Sequence, residues 1–212
     1  MIARTFRAAA RTIALASIAT ALAGSAVAAP APAPAPVASA PVPALPGDSV
    51  YQLPATLTDQ AGRTFRLDAR RGQPMLVSMF YTSCQVVCPM LIDALGDTQR
   101  QLTEGERDRL GVLVVSFDPA RDSVAVLKHT ADQRGLDPAH WSLARADATT
   151  TRKLAAVLGI QYRALADGDF NHTTVLLLLD SQGRIVARTS RLGNADPAFV
   201  KRVRAVMQAT PQ

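Results

Sequence analysis

Apolar positions along this chain fall into two alternating patterns, short unbroken runs and helical stripes. Met75 to Phe80 and Val112 to Phe117 are nearly continuous apolar runs, as expected of central strands buried on both faces. Each precedes a helical stripe, Pro89 to Leu102 with Met90, Leu91, Leu95 and Leu102 on one side, and then Ser123 to Arg134. Trp141 to Ala146 alternates apolar and polar residues and predicts a third strand, and Thr150 to Leu158 predicts an amphipathic helix that stops at Gly159. Thr174 to Asp180 and Arg184 to Thr189 flank Ser181-Gln-Gly183, a hairpin signal, and Asp196-Pro197 opens a last helix running to Met207. Near the start, Tyr51 to Leu53 and Thr64 to Leu67 flank the turn sequence Asp59-Gln-Ala-Gly62 and predict an N-terminal β-hairpin.

Alternating strands and helices argue for a parallel core. A parallel half followed by an antiparallel hairpin and a closing helix is the thioredoxin-like order, an α/β fold with a central mixed sheet flanked by helices. Residues 47–212 are enough for one such domain with a packed core.

The first 46 residues follow neither pattern. Arg4, Arg7 and Arg11 precede an apolar stretch from Ile13 to Leu22, and Ala26-Val27-Ala28 offers a small-x-small cleavage site, so residues 1–28 read as a secretory signal. The stretch is shorter than the roughly 20 residues that span a bilayer, which favours cleavage, with a retained inner-membrane anchor as the alternative. No Arg-Arg pair marks a twin-arginine signal, and no cysteine near the cleavage site marks a lipid anchor. Residues 29–46 alternate Ala and Pro and predict an extended spacer. The expected location is the periplasm. The formal charge of +6 falls to +3 once the three signal arginines are set aside, and no basic cluster with interleaved aromatics points to nucleic acid.

An oxidising compartment gives weight to the only two cysteines, Cys84 and Cys88, in the segment Met79-Phe-Tyr-Thr-Ser-Cys-Gln-Val-Val-Cys-Pro-Met90. Where a strand feeds a helix, this spacing can put both sulfurs on one side of the first turn, close enough to bridge or to share a metal ion. Unpaired N–H groups and the helix dipole would stabilise a thiolate there, and with no cation within three residues the backbone must supply most of that effect. A bridge placed only for stability would close a very short loop and gain little. The leading readings are a redox-active disulfide and a metal site, with a merely stabilising bridge as the weaker alternative.

Two thiolates hold copper or zinc incompletely, and imidazole is the natural further donor. Of the three histidines, His129 lies in the polar part of a predicted helix and His140 enters a strand from a loop. His172, in Phe170-Asn-His-Thr-Thr174, directly precedes an apolar strand, at a turn that a thioredoxin-like fold sets across from the cysteine helix. From spacing alone it is either a ligand or an exposed loop histidine. Met75, Met79 and Met90 read as core packing, Trp141 as packing, and Asp118-Pro119 as a strand end.

From Tyr51 to Met207 the chain resembles the SCO/SenC copper-delivery proteins that help assemble cytochrome c oxidase. The resemblance rests on Leu57-Thr-Asp-Gln-Ala-Gly62, on Cys84-x-x-x-Cys88-Pro89, on Val115-Ser-Phe-Asp-Pro119 with Arg121-Asp122, and on His172-Thr173 before a strand ending at Asp180 and Gly183. It implies copper, as Cu(I) or Cu(II), held by Cys84, Cys88 and His172 and delivered to the binuclear site of oxidase subunit II. Further implied partners are a periplasmic copper donor and a thiol reductase. The chain departs from the family's frequent Tyr-Thr-His-Cys-Pro-Asp-Val-Cys-Pro at Ser83, Gln85 and Val86. The leading expectation is a metallochaperone. Its rival is a thiol-disulfide oxidoreductase acting on a copper-site apoprotein, with Cys84 attacking and Cys88 resolving. A peroxidase has less support, since nothing near Cys84 in sequence supplies an Arg to polarise peroxide.

Overall fold

The computed structural model describes residues 44–209. The expected signal, 1–28, and residues 29–43 of the expected spacer lie outside the described residues.

The two apolar runs form β3 (Met75–Phe80) and β4 (Gly111–Ser116), parallel neighbours in which every residue is buried. β5 (Trp141–Arg145) continues the parallel half beside β4, and β8 (Leu176–Leu179) lies antiparallel on the other side of β3. β1 (Thr56–Asp59) and β2 (Thr64–Arg66) extend the sheet beyond β5, and β9 (Ile185–Thr189) closes it beyond β8. The seven strands run in the order β2-β1-β5-β4-β3-β8-β9. This is the mixed thioredoxin-like sheet expected from the pattern.

Apart from the short second one, the helices follow where the sequence turns amphipathic. They are α1 (Val87–Arg100), α2 (Glu104–Arg109), α3 (Val124–Gln133), α4 (Ala148–Leu158) and α5 (Pro197–Ala209). Leu91, Ile92 and Leu95 of α1 and Leu127 and Ala131 of α3 face the core. Arg134 just beyond α3 pairs with Asp93 of α1 at 3.1 Å, so the two helices sit side by side. α4 ends at Gly159 in the left-handed conformation (φ +69°), as a helix-terminating glycine should.

Three expectations need correction. Tyr51 to Leu53 is not a strand: Val50–Gln52 is a 3-10 turn capped by Ser49, with Val50 and Tyr51 buried, and the hairpin's first strand begins after Pro54, at Thr56. α1 starts at Val87 rather than Pro89, because proline needs no hydrogen-bond donor in a first turn and is tolerated at its third position. The third strand expected at Trp141 to Ala146 is present as Trp141–Arg145, covered on both faces, with Ser142 buried and its hydroxyl accepting a 2.9 Å hydrogen bond from Arg70. Met90 is 40 % exposed and does not pack in the core, whereas Met75 and Met79 do.

Two elements had no signal in the hydrophobic pattern. One is α2, which carries a capping box at Thr103 and Glu106. The other is a hairpin of β6 (Tyr162–Ala164) and β7 (Phe170–His172), a two-stranded sheet separate from the main one.

Candidate metal centre

The site gathers at the carboxyl ends of the parallel strands, where open α/β sheets place their chemistry. β3 ends at Phe80 and the chain turns through Tyr81 to Val86 before α1 begins. Cys84 lies ahead of the helix and is half-buried; Cys88 lies within the first turn and is buried. No side chain caps α1 at Val86. The Cys84 sulfur takes that role instead, accepting a hydrogen bond from the Cys88 backbone N–H at 3.3 Å. Both cysteines are free thiols.

The two thiols differ in acidity. Burial alone pushes Cys84 up, but the N–H groups of Cys88 and Val86 and the Cys88 thiol hold it below its ordinary value. Burial pushes Cys88 well above its ordinary value, and the charges on Cys84 and Asp122 act in the same direction. The backbone thus stabilises Cys84, as the lack of neighbouring cations in the sequence required.

The loop is held from beneath by Asp122, which is fully buried. Its carboxylate accepts hydrogen bonds from the Thr82 N–H (3.2 Å), the Thr82 hydroxyl and the Ser116 hydroxyl. Ser116 in turn accepts from the Asp118 N–H at 2.9 Å, while Asp118 pairs with Arg121. Asp118-Pro119 therefore does end a strand, and the acidic residue that matters to the site is Asp122, which in the sequence is only one residue of a motif with no visible role. Arg134 is a second site residue that the sequence does not reveal: with Thr130 and Gln133 it lines a cavity of about 190 Å³ shared with Cys84 and Cys88. It is remote in sequence, and it is paired with Asp93.

His172 arrives from the other side, as the last residue of β7. Its ring lies 5.0 Å from that of Phe117 and 5.7 Å, edge-on, from that of Tyr81. Its Nδ1 sits 3.4 Å from both the Thr173 carbonyl oxygen and the Thr174 hydroxyl. Donor atoms of Cys84, Cys88 and His172 all lie within 4.8 Å of one another. His129 is exposed on α3 and His140 stands 3.8 Å from Asp108 and Asp137; neither joins the cluster.

Two thiols and an imidazole form a soft donor set of the kind that suits copper. A family model described as SCO1/SenC matches residues 45–208. The chain belongs to the SCO1/SenC family. A member from Bacillus subtilis (strain 168), the SCO1 protein homolog, is 28 % identical over 90 residues, covering 42 % of this chain and 45 % of its own length. The chain thus spans less than half the length of the curated relatives it matches. Among solved structures, Bradyrhizobium japonicum ScoI with copper bound is 25 % identical with a TM-score of 0.61, covering 74 % of this chain and 98 % of that one. Yeast Sco1 with copper bound has a TM-score of 0.62 at 21 % identity, covers 74 % and 87 %, and shares the fold. Copper is thus the metal seen in solved SCO1/SenC proteins, and this member carries a Cys-Cys-His group that could hold it.

Proposed function

We propose that this protein is an exported copper-delivery protein that carries copper on Cys84, Cys88 and His172 and hands it to a copper-site apoprotein, namely the binuclear site of cytochrome c oxidase subunit II. The observation that carries this reading is the convergence of the three donors within 4.8 Å, although 84 and 172 are far apart in the chain. Thiolates favour Cu(I), and the imidazole makes a third ligand that also suits Cu(II). The half-exposed Cys84 gives an acceptor's ligand a point of entry for stepwise exchange. When the thiols lose two electrons and two protons to a disulfide partner, they become a bridge and the site closes to metal until a reductase returns both. Export rests on the reading of residues 1–28 as a signal, cleaved or kept as an anchor, followed by the spacer 29–46 and the domain 47–212.

One observation favours the rival, a thiol-disulfide oxidoreductase. Cys84 is the more exposed and more acidic thiol and Cys88 the buried, less acidic one, as an attacking and resolving pair would be. Anaerobic titration of the reduced protein with Cu(I), with X-ray absorption of the product, separates the readings. One equivalent held by two sulfurs and one nitrogen, lost in His172→Ala, is expected. Failure to retain one equivalent, with thiol exchange intact in His172→Ala, would transfer the assignment to the oxidoreductase.

A further inference from the structure

The third donor stands on the least supported element of the site. β6 and β7 pair over only three registers, from Tyr162 with His172 to Ala164 with Phe170, and join no other strand. A two-stranded hairpin is marginally stable in water, so its placement depends on what ties it to the domain. Part of that tie is aromatic: Tyr162 stacks on Phe117 at 5.1 Å, and Phe170 meets Tyr81 and Phe117 edge-on, each at 5.1 Å. Arg121 lies 5.5 Å above the Phe170 ring. Such contacts fix distance better than direction.

Two directional ties flank His172 at equal sequence distance. Three residues after it, the Val175 carbonyl accepts a 2.6 Å hydrogen bond from the Ser78 hydroxyl of β3. Three residues before it, the Asp169 carboxylate accepts a hydrogen bond from the hydroxyl of Tyr81, a buried residue of the cysteine loop. The same Asp169 oxygen caps its own strand by accepting from the Phe170 N–H at 2.9 Å. Both anchors come from the stretch that leads into Cys84, so the imidazole is aligned to the sulfurs by the segment that carries them.

We propose that Tyr81 and Asp169 are a positioning pair whose hydrogen bond holds the β6–β7 hairpin against the cysteine loop and presents His172 to the two sulfurs. The effect on copper rests on the proposed function; the effect on the hairpin does not. Tyr81→Phe keeps the ring and removes the hydroxyl, and Asp169→Ala removes the acceptor from an exposed turn. In the reduced, metal-free protein, hydrogen exchange at residues 162–164 and 170–172 should accelerate about tenfold in each single variant, the low end for a hydrogen bond to a charged group at a half-exposed position. The double variant should exchange no faster than either single one, and amides of β3 and β4 should be unchanged. Copper loss to a competing chelator should accelerate in both single variants. Unchanged hairpin exchange, additive effects, or acceleration spread through β3 and β4 would each overturn the pair. A wild-type protein that holds no copper would overturn the functional reading, while hairpin exchange would still decide for or against the pair.

Discussion

Replacing Asp122 by alanine should loosen the cysteine loop without touching either sulfur. The side chain is fully buried, and its loss would remove the acceptor for the Thr82 N–H, the Thr82 hydroxyl and the Ser116 hydroxyl. Thr82 is half-exposed and can turn to water, whereas Ser116 is fully buried and its donor would be orphaned. An orphaned buried donor costs about 1–3 kcal/mol, and a hydrogen bond to a charged acceptor contributes about 1.5–3 kcal/mol where water does not replace it. Against this, alanine relieves the cost of keeping a carboxylate out of water. The net expectation for Asp122→Ala is a loss of about 3 kcal/mol, and for Asp122→Asn, which keeps one acceptor oxygen, about 1 kcal/mol. Urea unfolding of the reduced, metal-free protein measures both, with the slope checked for two-state behaviour. Asp122 also lies close enough to push Cys88 up, so its removal should make Cys88 more acidic while Cys84 changes little. A loss below about 1 kcal/mol for the alanine variant at unchanged slope would refute the claim that this carboxylate anchors the loop.

Two further outcomes are expected. Under iodoacetamide in the reduced, metal-free protein, Cys84 should be modified before Cys88, and its rate should level off at a lower pH. The thiolate is the reacting species, a lowered thiol pKa supplies more of it at a given pH, and Cys88 is raised and buried. Equal rates measured by mass spectrometry over roughly pH 6 to 9, a range that brackets the ordinary thiol value, would contradict the asymmetry. Gly183→Ala should cost about 2–4 kcal/mol in urea unfolding through backbone strain and overpacking. Gly183 holds φ +78°, and a Cβ there would meet the Tyr51 ring at 2.5 Å and the Ser49 hydroxyl at 2.8 Å. A neutral result would mean that the N-terminal 3-10 turn can move away from the β8–β9 turn at no cost.

The hydrophobic pattern made the sheet legible because β3, β4 and β8 are buried along their whole length and so read as unbroken apolar runs. It misled at Tyr51 to Leu53, where apolar and aromatic residues suited to a strand are buried by a capped turn instead. The cysteine pair was legible from spacing and the strand before it. His172 was legible only as a choice between ligand and surface, because Tyr162 to Ala164 and Phe170 to His172 are too short and too exposed to leave a periodic signal. Asp122 and Tyr81 were illegible as parts of the site. Their roles depend on Thr82 and Asp169, which lie 40 and 88 residues away, and no local pattern encodes such a contact.

The site is built in two halves of unequal firmness. Cys84 and Cys88 are fixed by the end of a central strand, by a helix that donates its N–H to sulfur, and by a buried carboxylate beneath the loop. His172 is fixed by a separate hairpin, aromatic contacts and hydrogen bonds at either flank. Local opening is least costly where few buried contacts are lost, which makes the hairpin the half expected to open first. For the proposed copper delivery, which needs both tight holding and release, this order would be useful. Withdrawal of the imidazole would open one coordination position on a bound metal while both sulfurs kept their grip, and the half-exposed Cys84 would be the next ligand an acceptor could displace. Cys88, buried and reluctant to lose its proton, would regain it most readily once a bound metal departed. Under the proposed function, the ranking of firmness among the three donors would set the sequence of ligand exchange, His172 first, Cys84 second and Cys88 last.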